Sequence, residues 1–303
     1  MIFYGEEMNT THPCFDKDAS KVYGRIHLPV APKCNIACNY CNRKFDCINE
    51  SRPGVTAKVM SPDEAMDHLA KMKKIMPYIN TIGIAGPGDA LANSEKSFET
   101  IEKIKSKYPE MHLCISTNGL NLPDYADIIT KFNISHVTVT VNANSTEIAS
   151  LIYRRVNYKG VIYRGEEGAS ILLENQKAGI HYLTERGILV KINFIYMPEI
   201  NNREMSAVVR MVDGMGVKLF NVMPFIPVEK TPFAHLRAPL PYETMRMQQA
   251  VKAYATQISL MDHCQQCRSD AAGLLDEEKS FCHSNENLEI QRNSNEKILS
   301  FVK

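Results

Sequence analysis

The chain has 303 residues, enough for one large domain or two smaller ones, and 44% of them are apolar, enough for a proper core. Its 35 basic and 34 acidic side chains leave a net charge near +1, so neither a nucleic-acid surface nor a membrane surface is indicated. No apolar run reaches the length of a membrane span, and Met1-Ile2-Phe3-Tyr4-Gly5-Glu6-Glu7 lacks the layout of a signal peptide, so a cytoplasmic protein is expected.

In chain order, the predicted elements alternate short β-rich runs with helices. His27 to Ala31 is a short strand leading into a cysteine-bearing loop. Ser61-Pro62-Asp63-Glu64 opens a helix: Ser61 caps, Pro62 fits the first turn, and Glu64 completes a capping box. Ala65, Leu69, Met72 and Met76 mark one face of it. Ile79 to Ala85 reads as a buried strand, and Ser94 caps a helix with Phe98, Ile101 and Ile104 on one face. His112 to Ser116 is a strand followed by the turn Thr117-Asn118-Gly119. Asp124 to Lys131 is helical, and His136 to Val141 has a strand pattern. Tyr153 to Glu167, polar and punctuated by glycine, reads as a loop over the active face. A long helix from Ser170 to Arg186 is stopped by Gly187. Ile188 to Ile195 is a strand, Asn202 to Met211 a helix, Val217 to Met223 the last clear strand, and Tyr242 to Ser259 the last helix.

About six strand–helix units in succession argue for parallel strands with helical crossovers, two units short of a full eight-stranded barrel. A partial (β/α)6 barrel and a doubly wound sheet both fit this pattern. In either, functional loops follow the C-terminal ends of the strands. The first cysteine loop, Gly86-Pro87-Gly88-Asp89, Thr117-Asn118-Gly119, Asn142 and Pro224 all fall there.

Nine cysteines without a secretory signal do not suggest a disulfide framework. Cys34, Cys38 and Cys41 form a C-x3-C-x2-C run. Three thiolates can hold three irons of a cubane cluster and leave the fourth open to a substrate or cofactor. Bacterial ferredoxins space their ligands differently, as C-x2-C-x2-C-x3-C. A structural zinc site would prefer four ligands in paired short spacings. The other candidates are too many for one cluster: His12 and Cys14 near the N-terminus, Cys114 in a strand, then Cys264, Cys267 and Cys282. A two-residue gap lets Cys264 and Cys267 grip one cluster. A lone cysteine is ordinarily a small buried hydrophobe, and that ordinary reading weighs most on Cys47.

The cysteine run, with Tyr40 before its last member, resembles the signature of the radical S-adenosylmethionine (SAM) superfamily. Further segments narrow the resemblance: His12-Pro13-Cys14-Phe15, the stretch from Cys34 through Glu50-Ser51-Arg52-Pro53 to Val55, Asn221-Val222-Met223-Pro224, and Cys264-Gln265-Gln266-Cys267-Arg268-Ser269-Asp270. Together they are similar to the nitrogenase cofactor biosynthesis B family, over roughly residues 12 to 280.

That resemblance implies a partial (β/α)6 barrel at residues 27–260, with cluster-binding extensions at 1–26 and 261–303. It implies a 4Fe–4S cluster on Cys34, Cys38 and Cys41 with SAM on its open iron. It also implies two further 4Fe–4S clusters as substrates, one held around His12, Cys14 and Cys114, the other by Cys264 and Cys267. Cys47 and Cys282 are spare or transient ligands. Backbone amides of Gly86-Pro87-Gly88-Asp89 meet the methionine amino group of SAM. Ser116, Thr117, Asn118 and Asn142 join it, Asn193 reaches the ribose, and Met223 meets adenine. Glu50 and Arg52 position the substrate cluster or move protons, a surface salt bridge being their ordinary alternative.

The activity implied is fusion of two 4Fe–4S units into an 8Fe–9S cluster with a carbide from a SAM methyl group. Because the chain ends at Lys303, the stand-alone form is expected, a monomer served by an Fe–S donor, a ferredoxin-type electron donor and a separate carrier or scaffold. Two alternatives stand beside this reading: a radical SAM maturase with auxiliary Fe–S clusters acting on a peptide or small molecule, and a non-enzymatic Fe–S carrier.

Overall fold

The computed structural model describes residues 10–276 and 279–280. It begins with α1 (Ala19–Val22), β1 (Gly24–Pro29), β2 (Ile36–Cys38), α2 (Pro62–Ile75) and β3 (Ile79–Ala85). A 3-10 turn (Ala90–Asn93), α3 (Ser94–Lys107), β4 (His112–Thr117), α4 (Leu122–Lys131) and β5 (His136–Thr140) follow. Then come α5 (Thr146–Ile152), β6 (Tyr153–Tyr158), β7 (Val161–Tyr163), α6 (Gly165–Thr184) and β8 (Leu189–Tyr196). The chain continues through α7 (Met205–Asp213), β9 (Leu219–Pro224), α8 (Pro241–Tyr254), β10 (Ser259–Leu260), β11 (Ala271–Gly273) and β12 (Lys279–Ser280).

Six parallel strands form the body in the order β9-β8-β5-β4-β3-β1, joined by helical crossovers. All six contribute to the wall of one cavity, so the sheet curls into the partial barrel. Period-2 alternation divides each strand. In β8, Val190, Ile192 and Phe194 join the apolar layer under the helices, while Lys191 and Asn193 line the cavity. In β1, Ile26 and Leu28 face the layer, and Arg25 and His27 the cavity. The capping box of α2 forms as expected, with Glu64 N donating to Ser61 Oγ (3.2 Å) and Ser61 N to Glu64 Oε2 (2.8 Å). Ser94 does not cap α3; its hydroxyl donates to Tyr125 Oη instead (2.8 Å).

The segment expected as a loop, 153–167, is a hairpin followed by the start of α6. Lys159 (φ 51°) and Gly160 (φ 82°) make its two-residue turn, the pair of positive φ angles that a type I′ hairpin requires. Strand β6 pairs antiparallel with β2, Ile36 opposite Val156 and Cys38 opposite Tyr153. The cysteine segment is thus partly strand, held by a second, three-stranded sheet. The last helix stops at Tyr254, and Ser259–Leu260 adds to the barrel edge.

Six strands leave a seam between β9 and β1. Strand β10 lies beside β9 and β11 beside β1, so residues 261–270 cross the gap. Arg25 fixes the far side. Fully buried, it donates from Nη1 to Gly273 O and Leu274 O (both 2.7 Å) and from Nη2 to Cys267 Sγ (2.8 Å). His27 Nδ1 pairs with Arg268 O (3.0 Å), and Ser269 Oγ donates to Asp46 Oδ2 (2.7 Å). The N-terminal segment is tied to the same region. Asn80 Nδ2 donates to Thr11 O (2.9 Å), His263 Nε2 to Pro13 O (3.1 Å), and Phe15 packs on Leu219 and Met261.

Because Arg25 satisfies two buried carbonyls and a thiol at once, Arg25→Met should lower the unfolding free energy by about 3 kcal/mol. Urea denaturation of the variant and the parent chain measures this.

Candidate active site

Two groups of candidate ligands share the barrel. The first lies past the C-terminal end of β1, where Cys38 is buried and Cys34 and Cys41 pack half-buried against the same apolar cluster. Burial pushes the Cys34 thiol up to about 12, with the Asp89 carboxyl adding to it, and it raises Cys38 and Cys41 as well. Thiols so placed ionise readily only beside a cation, and soft thiolate sites favour iron–sulfur clusters. Asn118 Nδ2 stands 3.9 Å from Cys34 Sγ, as a donor to a ligating sulfur would. The donor set therefore fits a three-thiolate cluster. Among the described residues no three His, Cys, Asp or Glu side chains close on a single metal ion. A cubane, whose ligands serve separate irons, does not require that.

The glycine loop after β3 is pressed onto this cysteine loop. Gly88 N donates to Ala31 O and Asp89 N to Lys33 O, both at 2.8 Å. A Cβ at Gly88 would lie 1.9 Å from Lys33 O, and one at Gly86 (φ 153°) 2.5 Å from Ala31 O. Two of the loop's N–H groups are thus spent inside the fold. A methionine amino group is a donor, so only carbonyls of this loop could meet it, and Gly86 O and Pro87 O already accept from Cys47 N and Arg43 Nη1.

Asp89 is likewise a stitch between loops. Its buried carboxylate accepts from Leu91 N (2.9 Å), Ala92 N (3.2 Å), Thr117 Oγ1 (3.0 and 3.1 Å) and Asn118 N (2.6 Å). Burial raises its pKa, and these donors oppose the rise. Asn142 is engaged too: Nδ2 donates to Tyr40 Oη (2.8 Å) and Oδ1 accepts from Ile195 N (2.8 Å). The hydroxyl of Thr117 and the amides of Asn118 and Asn142 hold the cofactor-side loops together, whatever else they touch.

The second group surrounds the cavity inside the barrel, about 720 Å3 of empty space with its mouth included. His12, Cys14, Cys114, Cys264 and Cys267 all line it, with Glu50, Ser116, Asn193 and Met223. His12 is buried, its Nδ1 accepts from Cys14 N (3.1 Å), and its Nε2 has no partner among the described residues. Its ring lies tilted against His136 (centroids 4.3 Å apart) and meets Phe15 edge to face (4.8 Å). Burial pushes Cys114 up to about 12. Cys14 packs against the Phe15, Leu219 and Met261 cluster, as Cys264 does, and also against the cluster that contains Cys267, so the seam brings the two expected ligand sets together.

Glu50 lines the cavity and is held well above the usual carboxylate range, first by burial and then by the charge of Asp89; a hydrogen bond from Ser116 opposes this. Arg52 is not in the cavity wall; its backbone N–H donates to Cys267 O (3.1 Å). Cys47 is buried outside the wall, with its N–H 3.4 Å from Gly86 O. Cys282 lies outside the described residues. Sequence reasoning missed Arg25, His27, Lys191 and Asn221, all in the wall. A lysine and an asparagine two apart within apolar Ile188 to Tyr196 were the available signal.

A three-cysteine loop at the strand ends of a partial barrel defines a class, and the comparisons agree. The Radical SAM superfamily model matches residues 28–212, and the chain belongs to that superfamily, which implies a 4Fe–4S cluster and SAM. It is 44% identical over 266 residues to the "FeMo cofactor biosynthesis protein NifB" of Chlorobaculum tepidum, covering 88% of this chain and 62% of that protein. The Klebsiella pneumoniae protein of the same name is 42% identical, covering 89% of this chain and 58% of its own. The chain therefore spans less than two thirds of these curated relatives. Among solved structures, SAM-bound SuiB of Streptococcus suis superposes with a TM-score of 0.55 at 14% identity, over 78% of this chain and 49% of that one. Methylornithine synthase does so at 0.50 and 12%, over 94% and 83%. Both show the fold.

Gly88→Ala should cost about 2–3 kcal/mol, because the methyl meets backbone rather than a movable side chain, and it should lower iron retained on the three-cysteine loop. Thermal unfolding and iron analysis after anaerobic reconstitution test both effects.

Burial, with the Arg25 charge behind it, lowers His27 to about 4, against its backbone bond to Arg268. Between pH 6.5 and 4 the unfolded chain binds a proton that the folded one refuses, so this contribution to stability is present above pH 6.5 and lost on acidification. His27→Gln should flatten the fall in stability between pH 7 and 5, measured by denaturation at fixed pH values.

Proposed function

We propose that this chain fuses two 4Fe–4S units and inserts a carbide derived from a SAM methyl group, giving the 8Fe–9S–carbide precursor of nitrogenase cofactors. The observation that carries this reading is the convergence of His12, Cys14, Cys114, Cys264 and Cys267 on one cavity inside the barrel that bears the Cys34-Cys38-Cys41 loop. A single substrate cluster would not need so many ligands. The likeness to proteins named for FeMo cofactor biosynthesis supports the same substrate class.

Cys34, Cys38 and Cys41 hold the resident cluster, which when bound with SAM supplies an electron and so a 5′-deoxyadenosyl radical. Carbonyls of the Gly86-Pro87-Gly88 loop receive the SAM amino group, Asn193 approaches the ribose, and backbone at Met223 approaches adenine. Asn118 orients Cys34. One substrate unit sits on His12, Cys14 and Cys114, the other on Cys264 and Cys267. The cavity would hold a substrate sulfide where it could take a methyl from SAM, with S-adenosylhomocysteine leaving, and later lose hydrogen from that methyl to form 5′-deoxyadenosine from a second SAM. Glu50 lies in the cavity wall where its carboxylate would accept a proton as the methyl loses its remaining hydrogens, and Ser116 fixes its orientation. Arg52 holds the Cys267 segment through its backbone. The chain works as a monomer in the cytoplasm, loaded by an Fe–S donor, reduced by a ferredoxin-type protein and relieved of product by a carrier or scaffold.

The test is anaerobic reconstitution, dithionite, and SAM labelled at its methyl carbon. Formation of both S-adenosylhomocysteine and 5′-deoxyadenosine is expected, with label in an acid-stable cluster that activates cofactor-free nitrogenase. If 5′-deoxyadenosine forms but no label reaches the cluster despite full iron loading, the substrate is something else, such as a peptide or small molecule.

A further inference from the structure

Lys191 is the least expected residue of the cavity wall. It lies in the middle of β8, paired in register with Thr138 and Leu219, only 7% exposed, on the same wall as Cys14 and Cys114. Its ammonium has two soft neighbours, Met261 Sδ at 4.0 Å and the Phe15 ring with its centroid at 5.3 Å. Glu50, the one carboxylic side chain of the wall, is near enough for the Lys191 charge to lower its pKa, but no carboxylate among the described residues is within ion-pair distance of Lys191. Arg25, the other cation of the lumen, donates to Gly273 O, Leu274 O and Cys267 Sγ. Burying an ammonium without a paired counter-charge is unfavourable, and a thioether, an aromatic face and an unpaired Glu50 across the cavity offset little of it. The rest of the wall says what kind of anion would complete it. Thiols and an imidazole select a metal–sulfur species over a phosphate or carboxylate ligand.

We infer that Lys191 is the counter-charge for a negatively charged metal–sulfur substrate held by His12, Cys14 and Cys114. This rests on the proposed function and adds a binding residue that supplies no ligand atom. Charge on Lys191 has two consequences. It strengthens binding of a cluster whose sulfides and thiolates sum to a negative charge, and it makes that cluster easier to reduce. Without cargo the same charge works against the fold. A residue kept only for packing would have the opposite effect on the empty protein.

The experiment compares Lys191→Met and Lys191→Arg with the parent chain, first free of iron and then reconstituted anaerobically with iron and sulfide. Iron-free Lys191→Met should unfold roughly 2–4 °C higher than the parent, since a buried charge is replaced by an apolar chain of similar length. After reconstitution it should hold the additional cluster at least about tenfold more weakly. Any cluster it retains should have a more negative midpoint potential in an EPR-monitored titration. Lys191→Arg should restore most of the affinity and the potential. Unchanged iron binding and potential in Lys191→Met, with a parent that loads the additional clusters, overturns the assignment of Lys191 alone. So does a lower unfolding temperature with defects that Lys191→Arg leaves in place. A parent chain that takes up iron only on Cys34, Cys38 and Cys41 overturns the proposed function, and this inference with it.

Discussion

The open seam between β1 and β9 is the constraint around which the interior is arranged. Six strands cannot complete a barrel wall, so something else must cover the exposed backbone and lumen on that side. Residues 261–270 do so, entering beside β9 as β10 and leaving beside β1 as β11. Arg25 secures the exit, and the 10–18 segment packs against the entrance through Phe15, Leu219 and Met261. The segments that close the seam are also those that carry Cys14, Cys264 and Cys267. Closing the seam and bringing these cysteines to the cavity are one structural act.

That arrangement has an energetic consequence. Barrel interiors are ordinarily filled by branched apolar side chains. Here the inward positions include Arg25, His27, Thr81, Thr138, Lys191, Asn193 and Asn221. Each buried polar group weakens the fold unless it is paired. Stability must come from the other face of the same strands, where Ile82, Ile84, Leu113, Ile115, Val137, Val139, Ile192 and Phe220 form a continuous apolar layer under the helices. Separation by period-2 alternation lets a polar, reactive lumen sit within a well-packed shell. The SAM-facing loops are made rigid differently, by backbone contacts at Gly86 and Gly88 and by the Asp89 carboxylate, which needs no apolar burial.

Much of this was legible in the sequence wherever the signal is local. The capping box at Ser61, the strand from Ile79 to Ala85 and the stop at Gly187 depend on neighbours within a few residues, and they form as the pattern indicates. The hairpin at 153–163 was not legible, because its strands are half-exposed and Lys159-Gly160 is a less familiar turn than Asn-Gly. Its partner β2 was hidden for the same reason: a three-residue strand has no periodicity of its own. Asp89 and Asn142 were expected at the cofactor, since they sit in the right loops. The carboxylate of Asp89 and both ends of the Asn142 amide are also used between loops, which loop position alone cannot reveal.

What the sequence alone determined is the chemistry carried by short spacing. Cys34, Cys38 and Cys41 lie within one loop, so the chain's local geometry limits how far apart they can be, and the order of strand and helix patterns restricts the fold to parallel α/β forms. Tertiary structure decided which of those forms exists and what meets inside it. His12, Cys114, Lys191 and Cys267 come from four distant parts of the chain and face one cavity only because the sheet curls and the seam is crossed. No local pattern encodes that meeting. It follows from the packing of the apolar outer faces, which fixes the curvature and with it the direction of every inward side chain.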